Sequence, residues 1–433
     1  MRRTALHAVA TVLCLTAIEG EARAQSASPS LQGEIPFDYS RGRNTSVQER
    51  PRPEYAPLGI RTGGFTIYPS LDLGAGYSDN VYSLPSNEIG DAYFDIRPRA
   101  QIVSNWSRHR LQFQGGGNFR RYTKESGKNE DGWYARAAGR AELGLNATFD
   151  VNGRVEQLYE TRYSPTSTAT VRSSAPYQVK EARALLQYSR GRVRLAGSGE
   201  FADYDFKSLV TLDGATQNQD NRDRSVFTGA FLAEYAVSPD MSVYGQISYD
   251  SSDYSRELEP GIPNRDGSSV AAIGGISLDL TALLRGRIGI GYMTRDYRAD
   301  IYRNVEGFAA EAQIEYFPSS LTTVTLTARR RVDDATLIEA GGYFSTAATL
   351  RVDHELLRNL ILNLQTNYEI GDYKGVDSKA KIFQLSGGAR YLISRATSFG
   401  FNLSYGERRE DGTITTGPNF SEVSGGLSLS FHL

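Results

Sequence analysis

From Gly64 to Leu433 apolar and polar residues alternate in runs of roughly 10 to 14 positions, and the junctions between runs are short and long by turns. A period of two gives a strand one apolar and one polar face, and about 9 to 11 residues suffice to cross a bilayer as a tilted strand. The short junctions lie at Ser107 to His109, Asn146-Ala147, Arg190-Gly191, Ser238 to Asp240, Ala282 to Leu284, Pro318 to Leu321, Leu357 to Asn359 and Ser394 to Ala396. Each is answered by a longer loop at the other end of the next run, which is the layout of an up-and-down meander. The pattern predicts an all-β fold, a transmembrane antiparallel β-barrel of eighteen strands between about residues 64 and 433. An even count returns both ends of the barrel to one side, so the longer segments, such as 206–222 and 254–267, face outside.

The remaining chain divides into two pieces. Residues 1–24 have a basic start (Arg2, Arg3), an apolar stretch from Ala5 to Ile18 and Ala22-Arg23-Ala24, which together read as a secretory signal peptide cleaved after Ala24. Cys14 falls inside it, so the mature chain carries no cysteine, which excludes disulfides, thiol nucleophiles and thiolate metal sites. Residues 25–63, with Pro29, Pro36, Pro51, Pro53 and Pro57 and no periodicity, read as a flexible periplasmic segment too short to form a folded plug. Removing the three arginines and two glutamates of the signal leaves 45 basic and 48 acidic residues, a formal charge of −3 that offers nothing to nucleic acid. Beyond the signal no run of about 18 apolar residues exists, so helical spans are ruled out.

The period also assigns faces. In the fifteenth strand, 360 to 373, Leu360, Leu362, Leu364, Tyr368 and Ile370 point to lipid, while Asn363, Gln365, Asn367 and Glu369 point inward. The last strand repeats the pattern, with Val423, Leu427, Leu429, Phe431 and Leu433 outward. Its C-terminal position resembles the signal read by the barrel-assembly machinery, although that signal usually ends in an aromatic residue. Extended to every strand, the projection places Arg97, Arg99, Arg120, Arg136, Arg140, Glu142, Arg154, Glu156, Arg183, Arg194, Glu200, Arg287, Arg295, Glu311, Glu315, Arg329, Arg351, Glu369 and Arg390 on the lumen. Of the 48 basic residues only seven are Lys, so the wall is biased to guanidinium groups. Such a wall could select anionic or hydroxyl-rich solutes, or it could be a lattice of ion pairs that only satisfies a wide interior. Inward tyrosines, Tyr68, Tyr93, Tyr122, Tyr134, Tyr204 and Tyr244, could stack on sugar rings or belong to packed inner ends.

Catalysis finds little support in the residues. The mature chain has only His109, His354 and His432, the first two at or beside short turns and the third at the C-terminus. No Gly-x-Ser-x-Gly elbow occurs, and Asp353-His354-Glu355 lacks the second histidine of a zinc helix. No cofactor or metal is expected. Acidic residues of the outer loops, among them Asp79, Glu88, Asp131, Asp253, Asp333, Asp334, Asp372 and Asp411, could hold divalent cations shared with lipopolysaccharide phosphates, or serve simply as solvated loop charge.

Three segments, Tyr77-Ser78-Asp79-Asn80-Val81-Tyr82, Ser104-Asn105-Trp106-Ser107-Arg108-His109 and Gly115-Gly116-Gly117-Asn118-Phe119-Arg120-Arg121-Tyr122, are similar to the opening strands of an outer-membrane β-barrel porin family often encoded in bacterial exopolysaccharide and capsule loci. The resemblance implies a barrel without an enzymatic reaction that passes polysaccharide through the bacterial outer membrane, beside a periplasmic export protein. The expectation is therefore a passive conduit, for polysaccharide export first, with a general diffusion porin, an outer-membrane enzyme and a closed structural barrel as rivals.

Overall fold

The structure is a computed structural model that describes residues 44–433, apart from 167–170, 174, 175, 213, 281, 282 and 416. The signal peptide and residues 25–43 lie outside the described residues, as does part of the junction at Ala282. Eighteen antiparallel strands form the wall: β1 (Phe65–Ser78), β2 (Asp91–Ser104), β3 (Arg110–Tyr122), β4 (Glu130–Leu143), β5 (Ala147–Tyr159), β6 (Pro176–Arg190), β7 (Val193–Phe206), β8 (Arg224–Ser238) and β9 (Met241–Tyr254). They continue as β10 (Gly267–Leu280), β11 (Leu284–Tyr297), β12 (Val305–Ser319), β13 (Thr322–Asp334), β14 (Gly342–Leu357), β15 (Leu360–Tyr373), β16 (Ser378–Leu392), β17 (Thr397–Gly412) and β18 (Phe420–His432). Each strand pairs with the next, and β18 pairs with β1 from Ser70↔His432 to Ser78↔Ser424, so the sheet closes on itself and leaves no unpaired edge. Their number agrees with the eighteen expected from the alternation. One departure is β5, whose alternation continues in the sequence to Tyr163 although the strand leaves the sheet after Tyr159.

The alternation has the expected sense. Leu73, Phe94, Phe113, Phe231, Ile247, Ile290, Leu364 and Leu427 are exposed on the outer wall, the surface that hydrocarbon covers in a membrane. Outward tyrosines border this belt at both ends: Tyr77, Tyr249, Tyr292 and Tyr368 toward the long loops, Tyr188, Tyr235, Tyr316 and Tyr391 toward the short turns. Arg330 is an outward exception. Its guanidinium lies 5.1 Å from the Phe308 ring and 4.2 Å from the Phe344 ring and donates to Thr346 at 2.7 Å.

That exception marks where the wall folds inward. Strand β12 pairs with β13 only from Ala310↔Arg330 downward, so the top of the β13–β14 hairpin is free to lean into the lumen. Val332 and Phe344, outward by alternation, are buried there against the inward Met293, Val305 and Ala309 of β11 and β12. Gly307 makes room for this approach, since a Cβ at that position would meet Phe344 at 2.7 Å. The tip is held by charge as well. Arg295, with no exposed side-chain surface, pairs with Asp250 and Asp334 at 3.0 Å each and donates to Ser252, while Tyr254 donates to Asp334 at 3.0 Å.

Candidate functional site

Three pieces of chain narrow the barrel. The first is the infolded β13–β14 hairpin. The second is the segment after β5, which reaches nearly across the outer mouth. Arg408 of β17 donates to Ser164 O at 3.4 Å, Tyr373 of β15 donates to Pro165 O at 2.7 Å, and Tyr163 donates to Glu422 of β18 at 3.0 Å. Tyr163 lies on Gly406, where a Cβ would come within 2.3 Å of the ring. This crossing comes from the β5–β6 loop, whereas the longer 207–223 loop carries its own small strand pair, Leu209–Val210 with Thr216–Gln217, and supports the crossing through Arg222 and Glu160 at 2.6 Å.

The third piece is the described part, residues 44–63, of the segment expected to be flexible. From Asn44 onward the segment is seated in the mouth at the short-turn end. Val47 is only 1% exposed and its N–H donates to Thr323 of β13 at 3.0 Å. Glu49 pairs with Arg285 of β11 at 2.9 Å, Gln48 donates to Asp353 of β14 at 2.7 Å, and Arg52 pairs with Glu355 at 2.6 Å. Arg358 reaches out of the barrel to Glu54 at 2.7 Å. A folded plug domain is unnecessary, because one buried valine and a few charge-assisted bonds fix a short peptide.

On the opposite flank, β2 to β6, the inward arginines stay partly exposed to the lumen. Here the strands place Arg97, Arg99, Arg120, Arg136, Arg140, Arg154 and Arg183, all with the inward orientation read from the period. Each has a carboxylate. Asp95 takes Arg97 at 2.6 Å and Arg120 at 2.8 Å, Asp72 takes Arg99 at 2.5 Å, Asp150 takes Arg140 at 2.6 Å, and Glu181 takes Arg154 at 2.5 Å. Arg136 pairs with Glu156, and Arg183 with Glu200 at 3.8 Å. The pairs are not symmetric toward the lumen. The Arg136 and Arg140 side chains are 48% and 53% exposed, whereas those of Glu156 and Asp150 are 2% and 15% exposed. In every pair but Arg183–Glu200, where the carboxylate is the more exposed, the carboxylate lies against the wall and the guanidinium stands in front of it. A recess of about 150 Å³ opens between Gln112, Gln114, Arg136, Asn152, Arg154 and Glu181.

Other expected lumen residues divide into two groups. Arg329, Arg351, Glu369 and Arg390 are partly exposed, as are Glu200, Glu311 and Glu315. Arg351 is held by Asp353 at 2.8 Å, and Glu369 accepts from Ser345 at 2.8 Å. Arg194, Arg287 and Arg295 point inward but are buried, as is Glu156, so they do not line water as expected. Arg194 pairs with Glu234 at 3.2 Å, and Arg287 lies 3.5 Å from the centroid of the Tyr244 ring while pairing with Glu311 at 3.1 Å. The physical reason is crowding: on β7 to β13 the inner face is packed, partly by the infolded hairpin.

The tyrosines do not form an exposed stacking surface. Tyr93, Tyr204 and Tyr244 are buried, and arginines cover inner rings: Arg120 on Tyr93 at 4.2 Å, Arg136 on Tyr134 at 4.9 Å, Arg224 on Tyr204 at 5.0 Å. Tyr68 is covered by the chain at Gly59. Outer-loop acids are engaged in separate pairs. Asp253 meets Arg298 at 2.7 Å and Asp372 meets Lys374 at 2.7 Å, while Asp333 and Asp334 are buried inside the barrel. Among the described residues no group of three or more histidines, cysteines or carboxylates is arranged to hold a metal ion. The three histidines stand apart at the short-turn end: His109 accepts from Glu142 N–H at 3.2 Å, His354 contacts Thr322 at 3.0 Å, and His432 ends β18. Sequence reasoning passed over Asp72, Asp95, Asp150 and Glu181. The signal was present, since Asp95 shares its face with Arg97 and Arg99 at intervals of two.

The family described as "Putative beta-barrel porin 2" matches residues 52–432. The chain belongs to this porin family. No curated protein matches the sequence. The porin is similar in fold to OpdK of Pseudomonas aeruginosa (9% identity, 85% of this chain and 99% of that one, TM-score 0.44). It is similar also to a BenF-like porin of Pseudomonas fluorescens (13%, 85% and 98%, 0.45) and to OpdL of Pseudomonas aeruginosa (12%, 85% and 99%, 0.43). Membership of a β-barrel porin family points to a channel rather than an enzyme.

Proposed function

We propose that this porin is a passive conduit of the bacterial outer membrane for small anionic solutes, which pass along the β2–β6 flank. The observation that carries this reading is the ordering of charge. Although the flank is nearly neutral in formal count, the accessible half of its strongest pairs is guanidinium and the hidden half is carboxylate. A solute anion meets Arg136 and Arg140 first, at a water-filled wall where each contact is worth on the order of 1 kcal/mol, weak enough for release to the next. Arginine suits the task because its planar donors match carboxylate and phosphate oxygens and it stays charged at any physiological pH. Polysaccharide export draws on the family resemblance. In this geometry a polymer would require residues 44–58 and the β5–β6 crossing to clear the bore together.

Planar-bilayer recording under a KCl gradient tests the proposal. The expected result is an ohmic current with a reversal potential on the chloride side. A cation-selective current, or none, overturns it. Addition of neutral oligosaccharide separates the two cargoes: small-solute passage predicts little block, whereas polymer passage predicts long, length-dependent blockades.

A further inference from the structure

We infer that the outer face of β15–β17, just beyond the tyrosine border on the long-loop side, binds the phosphorylated headgroup of an outer-leaflet glycolipid. The chain is sparing with lysine, yet three of its seven, Lys374, Lys379 and Lys381, fall within eight residues at the β15–β16 turn. Lys379 and Lys381 point outward, stacked one and two outward positions above Phe383. Arg409 points outward two such positions above Tyr405, and the Phe383 and Tyr405 rings pack at 6.3 Å. Below them Leu385, Leu403, Phe399 and Phe401 continue the apolar belt, so these cations stand where acyl chains give way to headgroups.

Lys381 and Arg409 are directly opposed across the strand pair. Like charges in that position are destabilising unless an anion lies between them. Three carboxylates are present, with Lys381 on Asp411 at 2.5 Å, Arg409 on Glu407 at 2.5 Å and Lys379 on Asp372 at 3.8 Å. These pairs are exposed, and Arg409 is 71% so. Exposed pairs contribute little, so a doubly charged phosphate displaces them readily. At the matching height on β9 to β12 the outward charges are Asp253, Asp296 and Glu306 against one cation, Arg298, which Asp253 holds at 2.7 Å, so that sector is net negative toward phosphate. Facing sideways into the membrane rather than up to solvent, the cluster fits a lipid headgroup and not a soluble partner.

Native mass spectrometry of the full-length purified porin tests this, with three probes added in turn: bisphosphorylated lipid A, its phosphate-free form, and phosphatidylglycerol. Wild type is expected to retain the bisphosphorylated glycolipid at least about tenfold more than the Lys379→Gln, Lys381→Gln, Arg409→Gln triple variant, while neither retains the phosphate-free form. Unchanged conductance of the variant establishes that the barrel is intact. Should the triple variant fail to assemble, Lys381→Gln alone carries the comparison, with partial loss expected. Equal retention by wild type and variant overturns the inference, as does equal retention of the phosphate-free form. Phosphatidylglycerol held as tightly as lipid A overturns the assignment to a glycolipid.

Discussion

Arg136 and Arg140 bear on both uses open to an inward arginine. Each belongs to an ion pair, and each nevertheless offers its charge to the lumen, because the longer side chain reaches past its partner on the neighbouring strand. Removing the guanidinium uncovers the carboxylate, so the local charge changes sign toward solutes. Arg136→Gln with Arg140→Gln is expected to lower the anion-to-cation permeability ratio by about fivefold, the equivalent of roughly 1 kcal/mol at an aqueous wall. Reversal potentials read this directly, and an unchanged ratio would show that these arginines serve only the wall. Arg194→Gln, whose site is buried with Glu234, should leave the ratio unaltered and instead lower barrel stability. The facing of each arginine was legible from a count of two along its strand. Its exposure was not, because Arg140 and Arg295 both face inward and differ only in what packs over them.

At the scale of elements, strands were readable and infolded pieces were not. A strand declares itself by local alternation, but Val332 and Phe344 alternate as lipid-facing residues and lie inside because β12 releases β13 above Arg330. Tyr159, Thr161 and Tyr163 likewise continue the period of β5 while the chain departs across the mouth. Arg295→Met should release the hairpin, because it strands Asp250 and Asp334 in a buried site at a cost of about 3 to 5 kcal/mol. Protease added from the outer side should then cut within residues 335–341 of the variant and spare the wild type. The amino-terminal segment makes a pH-dependent prediction. Burial by itself would raise the Glu49 carboxyl, but the hydrogen bond and charge of Arg285 hold it below its ordinary value of 4.5. A carboxyl lowered by docking contributes stability that is complete above the free value and disappears as pH falls through the docked one. Conductance should therefore rise as the short-turn side is acidified below about pH 4.5, and a variant lacking residues 44–58 should show the higher conductance at neutral pH with no such step.

For the whole molecule, closure is what permits the composition. A chain with this much charge and a mean hydropathy of −0.42 enters a membrane only because every second residue is turned away from lipid and every backbone edge is paired. The same closure imposes an order of events. Glu49 and Arg52 find their partners 236 and 303 residues further along, on strands made long after them. Residues 47–52 can therefore settle only after the strands that receive them, β11, β13 and β14, are in place. A barrel that still lacks β13 has no ledge for Val47 to rest on, so until the later strands are laid down the short-turn opening is without its inner stopper.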